Sequence, residues 1–121
     1  RALPVLQAIL PPLMEQAKAS DPRLVFTLPI DRNGYIPVHH PEYSLPQRPG
    51  DPDWDPAYSR DRRIFDDRAG ITAARSARPF IIQSYQRDMG GAGIQLMREV
   101  DAPVRVAGRH WGGVRMAYRM A

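Results

Sequence analysis

The last third of the chain alternates apolar and polar positions in the manner of β-strands. Because successive side chains of a strand point to opposite faces, Val114, Met116 and Tyr118 share one face, and Arg115 and Ala117 share the other. Earlier segments of this third repeat the pattern over shorter stretches. The alternation therefore predicts extended strands, not helices, for most of this region.

Two glycine-rich segments, residues 89–93 and 107–113, divide this region into three parts. Tight turns need positive φ angles, which glycine adopts without strain, so glycine clusters between apolar runs indicate hairpins. The sequence predicts three antiparallel strands joined by two turns. Pro103 cannot donate a ladder hydrogen bond, and we expect a bulge or bend at residues 102–103.

The amino-terminal residues 2–19 have leucines and other apolar residues at helical spacing. Pro11 and Pro12 predict an interruption there, with a helix that restarts at the pair, since proline is tolerated in a first turn. Residues 20–22, Ser-Asp-Pro, predict the end of this helical segment.

A first hairpin is predicted next, with a strand at 23–30, a turn at 31–34 and a second strand at 35–38. Asn33-Gly34 forms the tip of the turn. Pro37 confines the second strand to the edge of a sheet, because it offers no amide hydrogen to a neighbour.

Five prolines between residues 39 and 59 predict a long irregular loop held by Tyr43, Trp54 and Tyr58. A loop of this length in a compact domain is often a lid or a binding loop. Residues 60–77 return to a helical pattern, in which Asp66 or Asp67 would cap a helix.

This order of elements predicts an α+β fold. We expect a PAS-like five-stranded antiparallel sheet in the order 2-1-5-4-3, with an amino-terminal helix and a helix and loop cover between strands 2 and 3. Residues 1–121 fit a single domain, with 1–20 as a helical segment. Because the sequence opens on arginine in a helical pattern, we expect a domain excised from a larger receptor.

The amino-acid composition bears on two classes of function, nucleic-acid binding and metal binding through cysteine. The net charge of +4 and the absence of cysteine are compatible with nucleic-acid binding and exclude disulfides and thiolate metal sites. However, sixteen of the seventeen basic residues are arginines that alternate with acidic residues, as at 60–63, so they can pair locally. We therefore expect no nucleic-acid partner. No apolar run approaches the roughly 18 residues of a membrane span.

Five motifs occur in a fixed order along the chain. They are DRNGYIPVH at 31–39, RIFDDRAG at 63–70, RPF at 78–80, QSYQRDMGG at 83–91 and GRHWGGVR at 108–115. Together they resemble a sensor region of bacterial methyl-accepting chemotaxis proteins, a PAS-like or Cache-like module, and the resemblance covers residues 21–118. His40 stands where the resemblance leads us to expect asparagine.

The resemblance implies the input domain of a chemotaxis-type signal-transduction receptor, with no catalytic activity. A small molecule would bind between the sheet and the helix and loop cover, and would shift a two-state equilibrium in the flanking helices. The implied partners are the ligand, the rest of the receptor and a second copy of the chain that pairs through helices. We expect a cytoplasmic location, with the periplasm as the alternative. Ligand identity stays open.

Candidate ligand-binding residues are polar groups with amphipathic side chains or guanidinium forks. They are Tyr35, His39, Arg75, Gln83, Tyr85 and Tyr118. Arg78 and Arg87 border the third strand of the predicted sheet, where each would either clamp a carboxylate or pair with Asp66, Asp67 or Asp88.

Two alternatives remain. No cofactor is required, but His39, His40 and His110 would suit a haem or divalent-metal sensor of the same fold, with His39 and His40 as the metal candidates. The second alternative is a purely dimerising structural module. Trp111, in the predicted second turn, is expected to anchor the core.

Overall fold

The computed structural model describes residues 3–65, 67–88 and 90–120, and it is an α+β fold built on an antiparallel sheet. Three helices and six strands follow one another along these residues. They are α1 (Leu3–Ala19), β1 (Leu24–Asp31), β2 (Tyr35–Ile36), α2 (Trp54–Tyr58), β3 (Arg63–Ile64), α3 (Arg68–Arg75), β4 (Ile81–Asp88), β5 (Ile94–Val106) and β6 (Arg109–Arg119).

The main sheet has four strands in the order β1-β6-β5-β4, all antiparallel to their neighbours. The predicted meander of the last three strands is confirmed. The prediction of five strands in the order 2-1-5-4-3 is wrong, because β2 pairs with β3 in a separate two-stranded sheet. A physical reason lies at the outer edge of β1, where the Thr27 amide donates to Nε2 of His40 and not to a neighbouring strand.

The last hairpin is tighter than predicted. Its turn consists of Ala107 and Gly108, with φ of 50° and 78°, and residues 109–113 already belong to β6. Pro103 stays within β5 opposite Gly113, and the irregularity falls between Val104 and Arg105.

The two faces of the sheet differ from the usual polar-out arrangement. The inner face of β6 carries Arg115 and Ala117, both buried. The outer face exposes large apolar side chains, among them Ile82 at 62% and Leu96 at 57%. The alternation of residue types in β6 therefore identifies the two faces but does not reveal which one is inside.

Helix α1 runs through Pro11 and Pro12 as one 17-residue element, which contradicts the predicted interruption. Inside a helix, proline has a compatible φ but removes a backbone hydrogen bond and crowds the carbonyl four residues earlier. Packing elsewhere along α1 must therefore offset the cost of the pair. Met14 is buried in the core next to β1, and this packing holds the second half of the helix in place. No helix within the described residues has the length and apolarity needed to cross a membrane.

The proline-rich segment is more regular than predicted. It contains a 3-10 turn at Pro41–Tyr43, helix α2 and a bridge between Ser44 and Ser59. The stretch predicted to be helical over 60–77 begins with β3, and its helix is limited to α3. Asp67 caps α3 as predicted, by accepting from the Gly70 amide, while Asp66 lies outside the described residues.

The core lies between the inner face of the sheet and α3. It is formed largely by apolar residues of β1 together with Ala73 and Ala74 of α3. At Gly113, an added Cβ would lie 2.4 Å from the Ala73 carbonyl oxygen, so only glycine lets α3 approach β6 this closely. The segment from α2 to β3 covers the remainder of the inner face and leaves a cavity there.

Candidate functional site

A cavity of about 300 Å³ lies between the inner face of the main sheet and the cover formed by α2, β3 and the start of α3. Its walls combine apolar and cationic side chains. The lining residues are Phe26, Leu28, Ile36, His39, Pro56, Arg60, Arg63, Phe65, Asp67, Tyr85, Gln86, Arg87, Asp88 and Arg115.

Arg87, near the end of β4, is the most unusual group in this cavity. Only 3% of its surface is exposed, and none of its three guanidinium nitrogens has a hydrogen-bond partner in the described part of the chain. Its guanidinium lies 4.9 Å from the ring centre of Phe26 and 4.6 Å from that of Tyr43. Burial lowers the pKa of Arg87, and the nearby Tyr43 and Tyr85 oppose this shift. Tyr43 does so partly as a weak acceptor, at a distance beyond the 3.5 Å of an ordinary hydrogen bond.

Arg60 brings a second guanidinium to the cavity from the cover. It donates to the carbonyl oxygens of Pro56 and Asp88, and lies 4.9 Å from the ring centre of Phe65. Burial, followed by the charge of Arg87, lowers the pKa of Arg60 to about 9, so it stays protonated at neutral pH. Neither arginine forms an ion pair with a described carboxylate.

Arg115, by contrast, is fully paired. It donates two hydrogen bonds of 2.8 Å to the buried carboxylate of Glu99. Burial tends to raise the pKa of Glu99, but the bonds from Arg115 outweigh it and hold this pKa below its usual range. Burial and the neighbouring Glu99 raise the pKa of Asp101 to about 8, so Asp101 is largely protonated at neutral pH.

Tyr85 is largely enclosed in the cavity wall beside this network. Its hydroxyl oxygen accepts from Nη2 of Arg115 at 3.4 Å. Burial raises the pKa of Tyr85, so the side chain stays a neutral phenol, and its hydroxyl is engaged with the Glu99 carboxylate.

His39 lines the same cavity as a neutral imidazole. Its Nδ1 accepts from the His40 amide at 2.8 Å, so the ring proton resides on Nε2. Burial, and then the charge of Arg87, holds the pKa of His39 well below its usual range. The ring contacts Phe26 and Tyr43 edge-on, which fixes its orientation.

His40 belongs to a different cluster, in which Glu15, His40 and Glu42 have ligand atoms within 4.8 Å of one another. The ligand atoms of this cluster are already engaged in hydrogen bonds and an ion pair, so they are not free for a metal ion. Nε2 of His40 accepts from the Thr27 amide, so the proton of the neutral ring is on Nδ1, which contacts Glu15. Glu42 is paired with Lys18. An ion would have to displace both arrangements.

The structure brings two of the six candidate ligand-binding residues, His39 and Tyr85, into the cavity. The other four are not among its lining residues. Gln83 donates to Asp101 and to the Ala69 carbonyl, and Arg75 donates to the Arg32 carbonyl at the surface. Tyr35 lies on β2, and Tyr118 lies on the outer-face positions of β6.

Trp111 is not part of the buried core, contrary to prediction. It is half-buried in β6 and lines a surface groove with His110 and Arg32. This groove is separate from the cavity, so His110 cannot act together with His39 there.

Several cavity residues were missed by the sequence analysis, chiefly Phe26, Arg60, Phe65 and Arg115. Arg60 lies in a stretch where acids and arginines alternate, which suggested local pairing. The sequence did contain one indication for Arg115. Glu99 and Asp101 are two residues apart in a predicted strand, so they lie on the same face of it and need a basic partner on a neighbouring strand. Comparisons with protein-family models, curated proteins and solved structures give no match for this chain.

Proposed function

We propose that this chain is the ligand-sensing input domain of a chemotaxis-type receptor, and that a small organic molecule binds in the cavity between the sheet and its cover. The observation that carries the proposal is Arg87, a buried guanidinium at a cavity with no hydrogen-bond partner among the described residues. Buried polar groups are nearly always hydrogen-bonded, and an exception at a cavity wall supports an external partner.

Binding, and not catalysis, is favoured by the residue types present. The described lining residues include no serine, threonine, cysteine or lysine that could act as a nucleophile. The candidate bases among the described lining residues are engaged with the backbone. His39 accepts a backbone hydrogen bond through Nδ1 and carries its proton on Nε2, and Asp67 and Asp88 accept from the Gly70 and Gly90 amides. The cavity therefore offers donors and apolar surface for recognition.

A connection to the flanking helix supports a signalling role. His39 lines the cavity, and the adjacent His40 contacts Glu15 of α1 through Nδ1. Phe26, in the cavity wall, belongs to β1, against which α1 packs. A ligand that repositions the His39 ring or β1 would thus act on α1, as the family resemblance implies.

A thermal-shift screen of the purified chain with organic acids, amino acids, purines, haem and divalent metals tests the proposal. A ligand at ~100 times its dissociation constant adds about 2.7 kcal/mol, a shift of several degrees. Amide NMR shifts should then change at Phe26, Tyr85 and Arg87 and not at Ile82 or Leu96 on the outer face. Absence of any stabilising compound, or changes confined to the outer face, would refute a ligand site in this cavity.

We also propose that two copies of the chain associate through α1. Val5, Ile9 and Leu13 are exposed apolar residues spaced by four, so they form one stripe along the helix. Light scattering at increasing concentration should detect a dimer that Ile9→Glu dissociates and that Gln7→Glu, a change at a neighbouring exposed position outside the stripe, does not. A monomer at all concentrations would rule out this mode of association.

A further inference from the structure

We infer that the ligand of this cavity is a small dicarboxylate, with one carboxylate on Arg87 and the other toward Arg60. This inference rests on the proposed binding function and names the chemical class of the ligand. Its basis is the distribution of paired and unpaired charge around the cavity.

Two guanidiniums at the cavity, those of Arg60 and Arg87, form no ion pair with a carboxylate of the described residues. Arg115, by contrast, has its charge balanced by Glu99, through two hydrogen bonds of 2.8 Å. Within the described residues, Arg87 makes no hydrogen bond of 3.5 Å or less through its guanidinium nitrogens, and Arg60 donates only to backbone carbonyl oxygens.

The other charged groups of the cavity wall outside the Arg115–Glu99 pair are hydrogen-bonded to the backbone. Arg63 donates to the Ser59 carbonyl oxygen, and Asp67 and Asp88 accept from backbone amides. A ligand with a carboxylate at each end would pair with Arg87 and Arg60.

The cost of burying Arg87 alone is large. The penalty for removing a charge from water exceeds the stabilisation that a cation–π contact returns, even when the contact is desolvated. Contacts with the rings of Phe26 and Tyr43 therefore offset only part of the penalty. An anion that accepts hydrogen bonds from the guanidinium would supply the remainder.

A carboxylate suits this environment better than a phosphate. The planar guanidinium fork matches both oxygens of a carboxylate, and the walls around it are apolar, with Phe26, Leu28 and Ile36. Phosphate sites typically use the free amides of a helix amino terminus. At α3 this place is taken by Asp67, whose carboxylate accepts from the Gly70 amide and lines the cavity.

The two cations also come from opposite sides of the cavity. Arg87 belongs to β4 of the sheet, and Arg60 precedes β3 in the cover. A ligand with a carboxylate at each end would connect the sheet to the cover. Nε2–H of His39 adds a neutral donor for its oxygens.

Titration calorimetry with four probes tests the inference, using succinate, glutarate, butyrate and the neutral diamide succinamide. We expect one or both dicarboxylates to bind more tightly than butyrate, and succinamide not to bind. Arg87→Met keeps the length of the stem and removes the charge, and it should weaken dicarboxylate binding roughly 10- to 100-fold. Arg98→Met, on the outer face of β5, is the matched control and should leave binding unchanged.

Thermal unfolding without ligand distinguishes a binding role of Arg87 from a structural one. Loss of an unpaired buried charge should raise the melting temperature of Arg87→Met above that of the wild-type chain. A lower melting temperature would indicate a structural partner for Arg87 and overturn the inference.

The binding outcomes separate the two proposals. If purines or other uncharged compounds bind in the cavity while the dicarboxylates do not, the ligand class is wrong and the sensing function stands. If binding of succinate or glutarate is unaffected by Arg87→Met, the inference is also wrong. If no compound of any class binds, both the function and the ligand class are refuted.

Discussion

Arg115 stands directly opposite Asp101 in the β5–β6 ladder, yet both of its strong hydrogen bonds go to Glu99, two residues earlier on the same face. Because Arg115 pairs with Glu99, Asp101 is left buried beside a carboxylate that is already ionised. Asp101 accepts from Nε2 of Gln83 at 2.9 Å, and a side-chain hydrogen bond with Glu99 helps to raise the pKa of Asp101 and to lower that of Glu99. Glu99 thus carries the charge of this pair, and Asp101 carries the proton.

The pH dependence of stability should reveal this arrangement. The pKa of Asp101 rises from 3.8 to about 8 on folding, so between these values the folded state holds a proton that the unfolded state has lost. Stability contributed by Asp101 therefore falls as pH rises through this window, with a slope of up to about 1.4 kcal/mol per pH unit. Asp101→Asn should remove this contribution to the slope and be more stable than wild type at pH 8. Urea unfolding at a series of pH values measures it, with Asp51→Asn as the exposed control, and an unchanged slope in Asp101→Asn would contradict the assignment.

Removing one member of the Arg115–Glu99 ion pair should destabilise the folded chain. Arg115→Met leaves Glu99 buried without its partner, and we expect a loss of about 3–5 kcal/mol in the free energy of unfolding. The double variant Glu99→Leu with Arg115→Met should recover most of this loss, because both replacement side chains are apolar and neither leaves a buried charge without its partner. Urea denaturation of the two single variants and the double variant measures the coupling, and additive losses would show that the residues do not act as a pair.

The imidazole of His40 should be structural and insensitive to metals. His40→Phe removes the acceptor for the buried Thr27 amide, and we expect a loss of about 1–3 kcal/mol in stability. Zinc or nickel ions should not raise the melting temperature of the wild-type chain, and chelators should not lower it. Metal-dependent stabilisation that disappears in His40→Phe would overturn this assignment.

The close contact between α3 and β6 can be tested at Gly113. A Cβ there would lie 2.4 Å from a backbone oxygen of Ala73, which cannot move without shifting the helix. We expect Gly113→Ala to cost about 1–3 kcal/mol, as overpacked cores do. In the control, Gly91→Ala, the nearest atom is Cβ of Asp53 at 3.3 Å, so a shift of a few tenths of an ångström is enough to relieve the contact. Equal losses of stability in the two variants would show that the close contact between α3 and β6 is not the reason for the loss at Gly113.

The parts of the fold that were predictable are those specified by neighbouring residues. Glycines at 90, 91, 93 and 108 mark the turns of the meander. Each turn joins consecutive strands, so the order of the strands in the sequence is also their order in the sheet. The place of β2 depends on a distant event, namely that the His40 side chain takes the Thr27 amide at the edge of β1. Whether His40 or a strand takes the Thr27 amide cannot be predicted from the pattern of neighbouring residues.

The same distinction applies to the candidate site. Tyr85 and His39 are amphipathic groups with visible potential for ligand binding, and both line the cavity. Arg60 is placed there by a cover whose path depends on contacts between distant segments. The sequence offers Asp66, Asp67 and Asp88 as nearby partners of Arg87. Asp66 lies outside the described residues, and the fold brings neither of the other two into an ion pair with Arg87.

The side chain at the edge of β1 also bears on the behaviour of the chain at high concentration. An unpaired strand edge is a template to which another molecule can add a strand, and such addition leads to aggregation. In β1 the Thr27 amide is already occupied by a fully buried imidazole, so an incoming strand would first have to expel His40 from the interior. The residue that prevents β2 from joining the sheet thereby also protects the edge from foreign chains.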